Sequence, residues 1–153
     1  MKKFLRFLFI AAIIFSFTSC IKTVDSPAPA VNPIAGSWYL YDATESYGSD
    51  WYAFNANIYG VLTFYSNGSA QYDDGNLFMH GTWYMNDIND GYYDRYGNYY
   101  SDWHQNFEAS LNGNGRSLDL YFDNISFVGN NKFIGTYYTG ESIQRYTFVR
   151  AGY

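Results

Sequence analysis

A chain of 153 residues, 48 % of them apolar, is long enough to bury the core of one domain and too short for two, and its single cysteine has no partner for an intrachain disulfide. Once the three basic residues among the first 19 are set aside, six Lys or Arg stand against 14 Asp or Glu, a net charge near −8. Those six, Lys22, Arg95, Arg116, Lys132, Arg145 and Arg150, are scattered along the chain, so the dense basic surface that a phosphate backbone requires is not expected and no nucleic-acid partner is read.

Residues 1–19 have the form of an export signal. Lys2, Lys3 and Arg6 make a basic start, and the apolar run from Phe7 to Phe17 is shorter than the roughly 20 residues that span a bilayer. Thr18 and Ser19 then lead into Cys20. This ending resembles the lipobox of bacterial lipoproteins, with Phe17 where that family usually has Leu. The resemblance implies cleavage before Cys20 and lipidation of its sulfur. Two or three acyl chains, at about 0.8 kcal/mol per buried CH2, then hold the protein on a membrane. The expected location is the bacterial cell envelope, at the outer membrane, facing either the periplasm or the exterior. Residues 20–33 hold all three prolines and no apolar periodicity, which reads as a flexible tether reaching roughly 40 Å from the lipid at ~3.1 Å per residue.

From Ile34 to Tyr153 the punctuation is that of antiparallel strands and tight turns. Asn67-Gly68, the run Asn112 to Gly115, and Gly129-Asn130-Asn131 each separate β-prone segments. Leu118, Leu120 and Phe122 alternate with Asp119, Tyr121 and Asp123; Phe107, Ala109 and Leu111 form a second stripe; Leu77, Met79, Gly81, Trp83 and Met85 form a third. The fold class expected is all-β, an antiparallel up-and-down barrel of about eight strands that pairs its own edges, with a β-sandwich as the rival.

The ends of this segment resemble those of lipocalin-like domains. Gly36 and Trp38 stand in a Gly-x-Trp on the first strand, and Arg150 stands on the last. The stretches LTFYSNGSAQY, HGTWYMND and SLDLYF are similar to hairpins of small bacterial lipocalin-like lipoproteins. The resemblance implies that Gly36, Trp38 and Arg150 close one end of a barrel, the guanidinium packing across the indole. Alternation is compatible with this, since it groups Trp38 with Leu40 and Arg150 with Phe148. Such a pair contributes about 0.5–2 kcal/mol.

Aromatic residues make up 23 % of the chain, and the 18 tyrosines are the surplus. They crowd into GYYDRYGNYYSDW, where Tyr92, Tyr93, Tyr96, Tyr99, Tyr100 and Trp103 read as a loop between strands, with Gly97 in its turn. Trp51 and Tyr52 offer a second platform. A tyrosine presents a flat apolar face and a polar tip, which suits sugar stacking or a pocket rim as well as plain packing.

Catalysis finds little to work with. His80 and His104 belong to no triad or nucleophile-elbow motif, and Glu45, Glu108 and Glu141 cannot be paired from sequence. Asn86, Asp87, Asn89, Asp90 and Asp94 are oxygen donors of the kind calcium takes, but their spacing is not that of an EF-hand, and they read as turn chemistry. No enzyme activity, metal or cofactor is expected. The expected function is capture of a small apolar molecule inside the barrel or of a glycan on the tyrosine-rich segment. The alternative is an accessory envelope lipoprotein acting through protein contacts. A filled interior favours surface contacts; a cavity of roughly 300 Å3 or more favours an enclosed ligand.

Overall fold

The computed structural model describes residues 32–152. The expected signal segment, Cys20 with its expected lipidation, and nearly all of the expected tether lie outside the described residues. The described chain is all-β, with strands β1 (Gly36–Ser46), β2 (Trp51–Ala53), β3 (Val61–Phe64), β4 (Ser69–Asp73), β5 (Phe78–Tyr93), β6 (Tyr99–Gly113), β7 (Arg116–Phe122), β8 (Asn124–Phe127), β9 (Lys132–Tyr138) and β10 (Ile143–Arg150). All pairings are antiparallel, in the order β7-β6-β5-β4-β3-β1-β10-β9-β8, with β2 added beside β1.

The turns follow from their residues. Asn114 and Gly115, both at positive φ (51° and 74°), join β6 to β7, the backbone that a two-residue hairpin of primed type needs and that Asn-Gly adopts readily. At the β3–β4 turn, Asn67 Oδ1 accepts hydrogen bonds from the Ser69 amide at 3.0 Å and the Ser69 hydroxyl at 2.7 Å.

The hydrogen-bonded sheet is not closed, in contrast to the self-pairing ladder expected from the sequence. Its two edges are β7 and β8, and only Asp123 separates them along the chain. One residue is too short for a hairpin turn, so these two stretches cannot fold back onto each other. One half pairs with β6 and the other with β9.

Every strand except β2 contributes to one core, and that core is built from rings. A continuous path of contacts runs from Trp38 to Phe133 (centroids 4.8 Å apart), Phe148 (4.7 Å), Phe122 (6.1 Å), Phe107 (5.7 Å) and Phe64 (5.2 Å). Trp83 stacks on Phe107 at 6.2 Å. Ring pairs of this kind contribute about 0.5–1.5 kcal/mol each beyond the area they bury. Both buried indoles are satisfied: Trp38 Nε1 donates to the Ile34 carbonyl at 2.7 Å and Trp83 Nε1 to the Tyr65 carbonyl at 2.9 Å. Gly135 leaves the space that the Phe122 ring occupies; a Cβ there would overlap the ring.

The register sets Trp38 opposite Arg150, whose guanidinium carbon lies 4.2 Å from the indole centroid. Arg150 also donates to three carbonyls, from Nε to Asn130 at 2.6 Å, Nη1 to Ala35 at 2.9 Å and Nη2 to Pro33 at 3.0 Å. One side chain thus ties the segment before β1 to the β8–β9 turn. Gly36, at φ 132°, lies directly beneath Nη1, where any Cβ would collide with it. A lysine offers a point charge in place of a planar fork, so Arg150→Lys is expected to lose on the order of 2 kcal/mol of stability through the lost charge-assisted bonds and stacking. Urea denaturation followed by Trp fluorescence checks this; an unchanged midpoint would contradict it.

Candidate functional site

Strands β5 and β6 outrun their neighbours. They pair with each other continuously from His80↔Asn112 to Tyr93↔Tyr99, whereas β4 reaches only Thr82 on β5 and β7 only Phe107 on β6. The remainder is a two-stranded arm. This corrects the reading of the tyrosine-rich segment as a loop, and of Asn86, Asp87, Asn89 and Asp90 as turn residues: all four lie within β5, and the turn is confined to residues 94–98. A ribbon beyond the core has no buried stripe to enforce apolar alternation, so polar residues occupy both faces. Asp94 organises the turn. Its Oδ1 accepts from the amides of Tyr96 (2.8 Å) and Asn98 (2.9 Å), and its carbonyl accepts from Gly97 (3.0 Å).

The arm bends back onto the sheet. Thr136 Oγ1 donates to the Tyr93 carbonyl at 2.6 Å, and Arg145 Nη1 donates to the Arg95 carbonyl at 2.9 Å. The Gly97 position packs against Trp51 and Ile143. Trp51 is therefore committed to holding the arm, its ring covered by the Arg145 guanidinium at 4.1 Å. Tyr52 is not brought to this cluster; it lines a separate shallow hollow with Tyr47 and Asp50.

Paired residues of a ladder share a face, and the arm's two faces differ. On one, Tyr92 stacks on His104 at 4.1 Å and on Tyr100 at 5.7 Å. His104 is 8 % exposed; its Nδ1 lies 3.0 Å from the Asp102 carbonyl, so it is the N–H donor there, and its Nε2 lies 3.3 Å from Asp90 Oδ1 without hydrogen-bond alignment. This histidine is a rivet between the two strands. His80, in contrast, is exposed on β5 opposite Asn112.

The other face holds Tyr93, Tyr99 and Trp103. Tyr93 contacts Tyr99 at 5.3 Å and Tyr138 at 5.0 Å. The Tyr99 ring lies across Gly91, where there is no room for a Cβ, and is 61 % exposed; Trp103, opposite Asn89 and two ladder positions from the Gly91↔Ser101 pair, is 70 % exposed. Tyr99 and Trp103, backed by the half-buried Tyr93, form an exposed aromatic surface of the kind that stacks on the apolar face of a sugar.

Sequence reasoning missed a groove beside the arm's tip. It is open, about 450 Å3 in volume, and is lined by Tyr41, Asp42, Arg95, Tyr96, Lys132 and Arg145 over a floor that includes Ile134 and Thr147. The basic residues read as scattered are, in three cases, gathered here. Alternation on β9 and β10 holds the signal: Lys132 and Ile134, like Arg145 and Thr147, point away from the face of Phe133 and Phe148, and the hairpin register sets the two strands side by side. A β-bulge between Leu40 and Asp42 then turns Asp42 and Thr44 onto the same face.

Glu45 is occupied structurally, accepting from Ser142 Oγ at 2.6 Å, Gln144 Nε2 at 3.2 Å and Tyr47 OH at 3.0 Å. These bonds, the one from Ser142 foremost, hold its carboxyl below the usual range. Among the described residues no three His, Cys, Asp or Glu converge in a metal-ligating group.

Asp123, at the join of β7 and β8, fixes the end of β9: its Oδ2 accepts from the Tyr138 amide at 2.6 Å, beneath the ring that supports Tyr93. Burial pushes its carboxyl up, and the Tyr138 bond offsets this only in part. With the folded-state pKa above the unfolded value of about 3.9, the native protein keeps a proton that the unfolded chain has released, so this group's contribution to stability falls as pH rises through that window. Asp123→Asn keeps the acceptor and removes the titration. The difference in Tm, variant minus wild type, is expected to increase from about pH 4 upward; a difference independent of pH contradicts the assignment.

Comparison with known protein families, with curated proteins and with solved structures returned no match, so the reading of this site stands on its own geometry.

Proposed function

We propose that this chain is a lipid-anchored lipoprotein of the bacterial cell envelope whose lipocalin-like barrel is a rigid scaffold, and whose aromatic hairpin arm captures a glycan without chemistry. The observation that carries the reading is the division of the aromatic residues. One set fills the core as a continuous run of rings from Trp38 to Phe64 and Trp83, and another stands exposed on the arm. An apolar ligand inside would have to displace packed rings, at roughly 3–5 kcal/mol for the packing of each large ring lost. A glycan on the arm displaces only water.

The barrel reading, in preference to a sandwich, draws on the sequential strand order, on the single core shared by all strands but β2, and on the packing of Arg150 across Trp38 above Gly36. The anchor draws on the lipobox-like ending at Cys20. The accessory role remains the second reading, favoured by one observation: among the described residues the outer edges of the arm beyond β4 and β7 have no ladder partner, and an unpaired edge is where a partner's strand can be added.

Two experiments test this. The full chain in detergent micelles is expected to retain glycans on an array, with Trp103→Ala and Tyr99→Ala each weakening retention about ten-fold, on the order of 1.4 kcal/mol. An empty array, or binding indifferent to both rings, contradicts glycan capture. For the anchor, Cys20→Ser is expected to abolish acyl labelling and leave an unprocessed precursor; normal labelling of that variant overturns it.

A further inference from the structure

Between residues 32 and 152 the chain carries five Lys or Arg and thirteen Asp or Glu, yet three of the five, Arg95, Lys132 and Arg145, line one groove that holds a single carboxylate, Asp42. Among the described residues no Lys or Arg side chain lies within 4.0 Å of a carboxylate, so none of these three cations is neutralised in that way. An acidic domain that collects its positive charge in one concave place creates a local field for an anion.

The three cations are held differently. Arg145 is fixed in place: Nε donates to Thr44 Oγ1 at 3.1 Å, Nη1 to the Arg95 carbonyl at 2.9 Å, and the plane rests on Trp51. Two of its five N–H donors are engaged in these bonds, and the guanidinium fork is already ordered. The Arg95 guanidinium leans over the Tyr96 ring at 4.9 Å, and neither it nor Lys132 Nζ donates to a protein acceptor among the described residues. The bulge in β1 presents Tyr41 at the rim, 69 % exposed, and Tyr96 stands at the tip, 65 % exposed.

Resting on the glycan-capture reading, we infer that this groove binds the carboxylate of an acidic sugar, and that the glycan held by the arm is one containing uronic acid residues. The cations meet the carboxylate, the Tyr41 and Tyr96 faces meet the pyranose ring, and Asp42 accepts from its hydroxyls. Asp42 also repels a densely charged phosphate or sulfate, whereas a uronate carries one charge on a ring otherwise covered in donors. The volume, about 450 Å3, falls within the range of sites that hold small molecules.

The test is titration calorimetry of the full chain in a zwitterionic detergent, with trigalacturonic acid, its fully methyl-esterified form and inorganic phosphate as probes. The acid is expected to bind at least ten-fold more tightly than the ester and to weaken as sodium chloride rises from about 0.05 to 0.5 M. Lys132→Gln and Arg95→Gln, checked for an unchanged circular dichroism spectrum, are each expected to weaken the acid at least five-fold and leave the ester unaffected. Equal binding of acid and ester, or full affinity in both variants, overturns the uronate assignment while glycan capture by the arm stands. Phosphate displacing the trimer at equal concentration overturns the sugar class and leaves a general anion site. Binding of neither oligomer overturns the inference, and retention of other glycans through Trp103 then shows that the arm reading survives it.

Discussion

The packing of Trp38, Phe133, Phe148, Phe122, Phe107, Phe64 and Trp83 against one another is the constraint on which the other features depend. Rings of this size cannot be accommodated by small adjustments, because interiors are close-packed and each ring defines the space left for the next. Gly135 yields its side-chain volume to Phe122, and Ala70 and Ala109 stay small beside the rings. A slip of one residue in any strand would turn its ring to the opposite face, so the core specifies register along the sheet. That specification replaces hydrogen bonding where the sheet is not closed, at β7 and β8, whose side chains Phe122 and Ile125 join the same core.

With the core occupied, the recognition surface proposed for the chain is on the outside. The long β5–β6 ribbon carries its aromatic residues past the end of the packed region and returns to the sheet through the Tyr93 and Arg95 carbonyls. The same return contact builds the groove, because Arg145 both anchors the arm and contributes its charge there. Structure and the proposed recognition therefore share one residue. The acidic remainder of the surface sharpens the contrast, since the cations of the groove stand out against a background of opposite sign.

The legible part of this molecule was its alternation. Phe107, Ala109 and Leu111, and likewise Leu118, Leu120 and Phe122, lie on the core side as period-two patterning requires, because a half-buried strand forces that pattern on the sequence. The arm was not legible as an arm. Its Asn, Asp and Gly residues carry turn propensity, and in a ribbon outside the core nothing apolar contradicts a turn; cross-strand pairing along β5 and β6 overrides the local preference. The groove was less legible still. Arg95, Lys132 and Arg145 are far apart in the chain, and only the β9–β10 register, the bulge at Tyr41 and the folded-back tip bring them together.

The most direct test of the claim that ligands meet the outside of this protein uses its four tryptophans as reporters. The Trp38 and Trp83 indole N–H groups are inside, bonded to the Ile34 and Tyr65 carbonyls; Trp51 lies under Arg145, and Trp103 is exposed on the arm. In a nitrogen-15 correlation spectrum of the full chain in micelles, a bound glycan is predicted to shift the Trp103 indole signal, and the Trp51 signal when it reaches the groove, while Trp38 and Trp83 stay in place. Shifts centred on Trp38 and Trp83 with Trp103 unmoved would mean that the interior opens to take a ligand, and would contradict the account.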